Sequence, residues 1–209
     1  MKLFVFDSDG VLVDSWPQHH VFLCDMVRKY QPGLIIPALP FSHQLVANGM
    51  ANVLRLAGFF EELVRPIIQD EYAFFCERYQ PPLFAGVREM LHSLSSHWGR
   101  LAIVSANEKK NVTMALGSLT DCFCLENIIG LGSFSSKAAA LVSLIKENKI
   151  SSMEDIVFVG DTMGDRDEAI RVGMSFIASG YGWQFRPGDE IGFPIAESVS
   201  ALHQMLIKR

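Results

Sequence analysis

Apolar residues along the chain fall in two kinds of pattern, short unbroken runs and longer stretches spaced three or four apart. The first run is Leu3-Phe4-Val5-Phe6, rich in β-favouring side chains and short enough for a buried strand. It stops at the polar break Asp7-Ser8-Asp9-Gly10. Helical spacing then takes over. Over residues 17–30, His20, Val21, Phe22, Cys24, Met26, Val27 and Tyr30 give the pattern of an amphipathic helix, with Pro17 suited to its first turn. Residues 31–40 hold three prolines and a glycine and read as a loop. Residues 42–57 and 59–80 predict further helices. Ser42 is placed to cap the first, Gly58 separates the two, and Pro66 either kinks the second or opens a new one. No strand-period run occurs before Gln80-Pro81-Pro82, which closes the segment.

From there strands and helices alternate. Residues 86–95 predict a helix with Val87, Met90, Leu91 and Leu94 on one face. Leu101-Ala102-Ile103-Val104 is a strand ending at Ser105, residues 111–119 a helix, and residues 127–130 a short strand. Residues 135–148 predict a helix, and Ile156-Val157-Phe158-Val159 a strand running into Gly160-Asp161. Residues 165–172 form a helix closed by Gly173, residues 174–178 a strand leading into Ser179-Gly180-Tyr181-Gly182, and residues 198–208 a last helix. This order predicts an α/β fold with a three-layer, doubly wound, mainly parallel sheet. Its core is residues 1–13 and 83–209, and residues 14–82 are an inserted α-helical domain.

Composition narrows the partners. The chain has 209 residues, 49% hydrophobic and 20% charged, enough to bury a substantial core. A net charge of −5 and the lack of a basic stripe argue against a nucleic-acid or anionic-membrane partner. Cys24, Cys76, Cys122 and Cys124 form no C-x-x-C pair and read as small apolar residues in a reducing compartment. No basic-then-apolar segment opens the chain and no apolar run approaches a membrane span, so the expected location is the cytoplasm.

The chemistry gathers at strand ends: Asp7 and Asp9, Ser105, Asp161, and the Gly180-Tyr181-Gly182 loop. In a parallel sheet those ends share one edge, so groups far apart in sequence can meet. An isolated D-x-D-G is an ordinary polar turn; here the downstream pieces set it apart. Lys137, at a helix start, opposes the helix dipole and calls for an anionic partner. Asp161 and Asp165 are also placed to cap the helix that follows them, whereas Asp167 and Glu168 read as solvated first-turn acids.

The stretch from Phe6 through Asp7-Ser8-Asp9-Gly10-Val11 to Asp14-Ser15 resembles the first motif of the haloacid dehalogenase-like hydrolases, in the phosphoglycolate-phosphatase and β-phosphoglucomutase branch. Ser105, Lys137 and Gly160-Asp161-Thr162-Met163-Gly164-Asp165 resemble its second, third and fourth motifs. The resemblance implies the Rossmann-like core with a helical cap and an Mg2+-dependent phosphatase acting on a small phosphorylated metabolite, as a monomer or homodimer. It makes Asp7 the nucleophile that becomes an aspartyl-phosphate and Asp9 the general acid, protonated at the start. Asp7, Asp161 and the Asp9 carbonyl would hold the metal, with Asp165 an outer or alternative ligand. Ser105 and Lys137 would hold the phosphoryl group, helped by backbone amides near Ser8 and Asp9, and Asn107 and His19 are candidate substrate contacts.

Asp9 argues against the dehalogenases of the family, which lack an acid there. The cap offers only Lys29 for Schiff-base chemistry. A mutase of this branch carries basic residues in a cap loop; the matching Ala47-Asn48-Gly49-Met50-Ala51-Asn52 has none, and Arg55 is the nearest cation. The phosphatase is therefore preferred, with a sugar-phosphate mutase and a silent phosphate-binding protein as alternatives. His43, Asn48 and Arg55 are the cap candidates for substrate choice.

Overall fold

Leu3 and Val5 face one side of the first strand and Phe4 and Phe6 the other, and both sides are sealed from water. Such burial on both faces is the mark of a central parallel strand. The structure is a computed structural model describing residues 2–39, 45, 49–190 and 192–209. Strand β1 (Lys2–Phe6) lies between β2 (Gly99–Val104) and β4 (Ile156–Gly160). β3 (Ile128–Ile129) lies outside β2, and β5 (Ser175–Ser179) and β6 (Ile195–Ala196) continue beyond β4. The order is 3-2-1-4-5-6 and every neighbouring pair is parallel. Chain direction around the sheet reverses between β1 and β4, the place where open sheets of this kind bind ligands.

Helices cover both faces. On the side of Phe4 and Phe6 pack apolar residues of α5 (Val87–His97), α6 (Lys109–Leu116) and α9 (Val199–Ile207). On the side of Leu3 and Val5 lie α7 (Lys137–Glu147) and α8 (Met163–Arg171), through Leu141, Leu144 and Ala169. Burying each large apolar side chain contributes about 1.5–3 kcal/mol, so these two layers hold the sheet between them.

The helices before residue 80 build a separate apolar cluster. α1 (Trp16–Tyr30), α2 (Met50–Ala57), α3 (Glu61–Pro66) and α4 (Ala73–Arg78) enclose Trp16, Leu23, Leu54 and Ile67. Pro66 does not break the chain's helical course. It lacks an N–H to donate, and the ladder beyond it widens into a π-helical turn, Ile67–Tyr72, in which Ala73 N bonds Ile68 O. Gly58, at φ +95°, closes α2 in the left-handed conformation that glycine adopts without penalty. The segment leaves and rejoins the sheet side by side: Asp14 N bonds Pro82 O at 2.8 Å and Phe84 N bonds Leu12 O at 3.0 Å. Among the described residues no helix is long and apolar enough to cross a membrane.

Two expectations change in detail. The helix expected over 111–119 ends at Leu116, and residues 117–122 tighten into a 3-10 turn at Gly117. β6 was not foreseen, because two residues are too few to show alternation. Ser42, His43 and Asn48 lie outside the described residues.

Candidate active site

Asp7 is the first residue past β1. Its backbone N–H bonds Val159 O at 2.8 Å, which ties it to β4, and its side chain is almost wholly buried. The Asp7 Oδ1 accepts the Ser8 N–H at 2.8 Å and Oδ2 accepts the Lys137 ammonium at 2.7 Å. Lys137 also reaches Asp165 Oδ1 at 2.6 Å. The lysine that called for a partner at its helix start thus has two. Burial works against its charge, but Asp165 and Asp7 outweigh that and hold its pKa well above the lysine range. The Ser8 amide, expected to face a phosphoryl group, is instead turned to its neighbour's carboxylate.

Asp161 follows β4 and is fully buried. Its Oδ2 accepts the Trp183 backbone N–H at 3.0 Å, while its Oδ1 has no hydrogen-bond partner among the described residues. Asp165 is committed on both oxygens, to Lys137 on one side and to Thr162 N and Oγ1 on the other, at 3.1 and 2.6 Å. Thr162 returns the bond to the Asp165 N–H, closing a capping box at the start of α8. Asp165 therefore caps and orients, as its helix position allowed.

Carboxylate oxygens of Asp7, Asp161 and Asp165 lie within 4.8 Å of one another. Burial first, then its carboxylate neighbours, pushes Asp7 up to about 7 despite Lys137, and the same causes lift Asp161 well above the carboxylate range. Three crowded acids, one with an orphaned buried oxygen, suit a hard divalent cation bound by oxygen.

Glycine makes the crowding possible. Gly10, at φ +75°, lies so close to Asp161 that a Cβ there would overlap its carboxylate, and a Cβ on Gly182 would overlap Gly10 O. The flap over residues 10–13 is pinned from β5: Ser179 Oγ donates to Gly10 O and Tyr181 OH donates to Val11 O, both at 3.0 Å. That gives the loop after β5 a holding role that its glycines alone did not reveal.

Asp9 sits past the turn. Its Oδ1 accepts the Ser15 hydroxyl at 2.5 Å, and Asn107 Nδ2 approaches Oδ2 at 3.5 Å. Ser105 follows β2, buried, its Oγ accepting the Asn107 N–H at 3.0 Å and leaving its own proton free to donate. His19, on α1, contacts Tyr72 OH at 3.3 Å and packs against Trp183 with ring centroids 6.1 Å apart. Burial lowers its pKa, partly offset by Asp9. Asp9, Ser105, Asn107, His19, Tyr72 and Trp183 line one cavity with Asp7, Lys137 and Asp161, whereas Ser15 is not part of that lining.

Some expectations are corrected. Arg55 does not line that cavity; its guanidinium bonds Glu61 at 2.7 and 2.8 Å and Asn52 at 3.1 Å, near enough in sequence to capture it first. Glu168 is no solvated acid: its Oε2 accepts the Ala138 N–H at 2.6 Å and caps α7. Asp167 does stay exposed, bound to Arg166. Ser15, Thr162, Tyr72 and Trp183 were not singled out. Thr162-x-x-Asp165 carries a capping signature that could have found Thr162; Trp183 acts across long range and leaves no local sign.

Comparison with known proteins shows what the chain resembles in sequence and fold. Residues 4–179 match the family model described as haloacid dehalogenase-like hydrolase. A phosphoglycolate phosphatase from Pseudomonas savastanoi is 27% identical over 213 residues, covering 96% of this chain and 75% of that protein. One from Chromobacterium violaceum is 28% identical over 201 residues, covering 88% and 86%. Among solved structures, a haloacid dehalogenase-like family protein from Streptococcus pneumoniae superposes with a TM-score of 0.82 at 19% identity, covering 100% of this chain and 99% of that one. A predicted phosphoglycolate phosphatase from Haemophilus somnus gives 0.78 at 18%, covering 100% and 98%.

Proposed function

The chain belongs to the haloacid dehalogenase-like hydrolases, and from that membership we propose that it is a magnesium-dependent phosphatase acting on a small phosphomonoester through an aspartyl-phosphate. The observation that carries the reading is Asp7 at the end of β1, held by Lys137 beside the orphaned oxygen of Asp161. Relatives named phosphoglycolate phosphatase support the same chemistry.

In the first step a carboxylate oxygen of Asp7 attacks phosphorus while the ester P–O bond breaks. Asp9 gives its proton to the departing alkoxide. In the second step Asp9, now a carboxylate, takes a proton from water, whose oxygen attacks phosphorus. The bond from Asp7 breaks and inorganic phosphate leaves. Ser15 and Asn107 orient Asp9 between these tasks, and Ser105 donates its free proton to a phosphoryl oxygen. Lys137 favours the ionised form of Asp7 against its burial and holds it in place. Asp161 and Asp7, with the Asp9 carbonyl, would hold the divalent ion, and Asp165 would steady Lys137 beside them. Magnesium, when bound, supplies positive charge that neutralises the phosphoryl oxygens. Residues 14–82 act as a cap that excludes water during the first step and readmits it for the second.

Asp7→Asn tests the reading. Release of phosphate should fall at least about a thousandfold, since removal of a nucleophile leaves only binding and electrostatic effects. Circular dichroism should be unchanged. Turnover near that of the parent would take Asp7 out of the nucleophile's role. Among the described residues the cavity's cations are Lys137, held by Asp7 and Asp165, and Lys110, beside Glu77, so the site offers a second phosphate little support and the mutase reading gains none from it.

A further inference from the structure

Above the carboxylates the cavity opens to about 540 Å³, within the range of roughly 300–1,000 Å³ typical of pockets for drug-sized ligands and far larger than a two-carbon acid requires. Its upper wall is apolar and aromatic: Trp16, Tyr72, Trp183, Met50, Val53 and Ile68. Ring centroids of Trp16 and Trp183 stand 5.5 Å apart, and those of His19 and Tyr72 5.9 Å.

The charges point the same way. With Asp9 carrying the proton it gives to the leaving group, the lining still holds the acids Asp7, Asp161, Glu77 and Glu108 against the ammonium groups of Lys110 and Lys137. Lys137 is taken by Asp7 and Asp165, and Lys110 lies 3.4 Å from Glu77. Arg55 is held elsewhere by Glu61. Residues 40–44 and 46–48 contain neither lysine nor arginine, so they add no permanent cation. A divalent ion and a phosphoryl dianion cancel each other, so a second anionic group on the substrate would meet a net negative lining whose cations, among the described residues, already stand beside carboxylates.

We propose that the phosphomonoester taken by this site carries an uncharged aromatic or apolar alcohol, and that an ester bearing a carboxylate or a second phosphate is disfavoured. This rests on the phosphatase reading and departs from the substrate in the names of the relatives. The transferred phosphoryl group is the same; the alcohol differs.

The test compares two esters of nearly equal size and leaving-group reactivity, para-methylbenzyl phosphate and para-carboxybenzyl phosphate, with phosphoglycolate as a third. The full chain is used with magnesium. The para-methylbenzyl phosphate should exceed its carboxylate twin by about tenfold or more in kcat/KM, the effect of one unmatched charge at intermediate dielectric, expressed mainly in KM. Ala51→Arg, which adds a cation to the wall, should narrow that ratio. Equal or better hydrolysis of the carboxylate twin or of phosphoglycolate would overturn the substrate class and leave the phosphatase standing. Hydrolysis of none of the three would remove both.

Discussion

At the residue scale, the buried acids make stability depend on pH and metal together. Asp7 has a folded pKa near 7 against 3.8 when unperturbed, and Asp161 shifts in the same direction. The folded, metal-free protein therefore binds more protons than the unfolded chain across that interval. The stability Asp7 contributes is complete below the unfolded value and is lost as pH rises through about 7, and that of Asp161 is lost in the same direction. A divalent cation needs the ionised carboxylates, so its stabilisation runs the other way. Magnesium at a hundredfold excess over its Kd contributes about 2.7 kcal/mol. For a chain of this length that is a rise in Tm of about 5–10 °C, expected at pH 8 and much reduced at pH 5.5. Differential scanning fluorimetry at both values reads it, and an equal shift at the two would detach the metal from these acids. Asp161→Asn should abolish the shift and the activity, because it removes the carboxylate whose oxygen is left unpaired for the cation.

At the element scale, α8 places the start of α7. Asp165 and Glu168, one turn apart on α8, take the Lys137 ammonium and the Ala138 N–H in turn. Glu168→Ala should cost about 0.5–2 kcal/mol as a lost helix cap and raise KM, because Lys137 loses its fixed base. Glu168→Gln should recover part of both. An unchanged KM with lowered Tm would make Glu168 a purely structural cap. The same helices show what the sequence can disclose. The strands carrying Asp7, Ser105 and Asp161 announce themselves, because buried parallel strands are short apolar runs and their polar ends stand out. Lys137 is legible from a local conflict, a cation at the wrong end of a helix. Glu168 is not, since its acceptor role depends on a backbone group 30 residues away. The π turn after Pro66 is equally hidden, because no side-chain pattern distinguishes it from an α-helical kink.

At the scale of the whole molecule, the helical segment hangs from two adjacent strands of chain, residues 12–14 and 82–84, so its ends enter and leave together. Closing a loop of different length there changes the entropic cost by only about 0.6 kcal/mol per doubling. Exchange of residues 14–82 for the matching segment of a relative should therefore leave the sheet folded and change substrate preference, measured over an ester panel. An unchanged preference would move specificity into the sheet's own loops. An aromatic contact is among those that link the two parts. Trp183, from the loop after β5, stands against Trp16, the first residue of α1, and both are nearly sealed from water. Of the three tryptophans, Trp98 alone is substantially exposed, at 41%. With Trp98→Phe, emission would come only from this buried pair, blue-shifted by its apolar surroundings. If the helices swing away as proposed, both indoles would be wetted and the light would redden, an optical gauge of the proposed lid readable without a label.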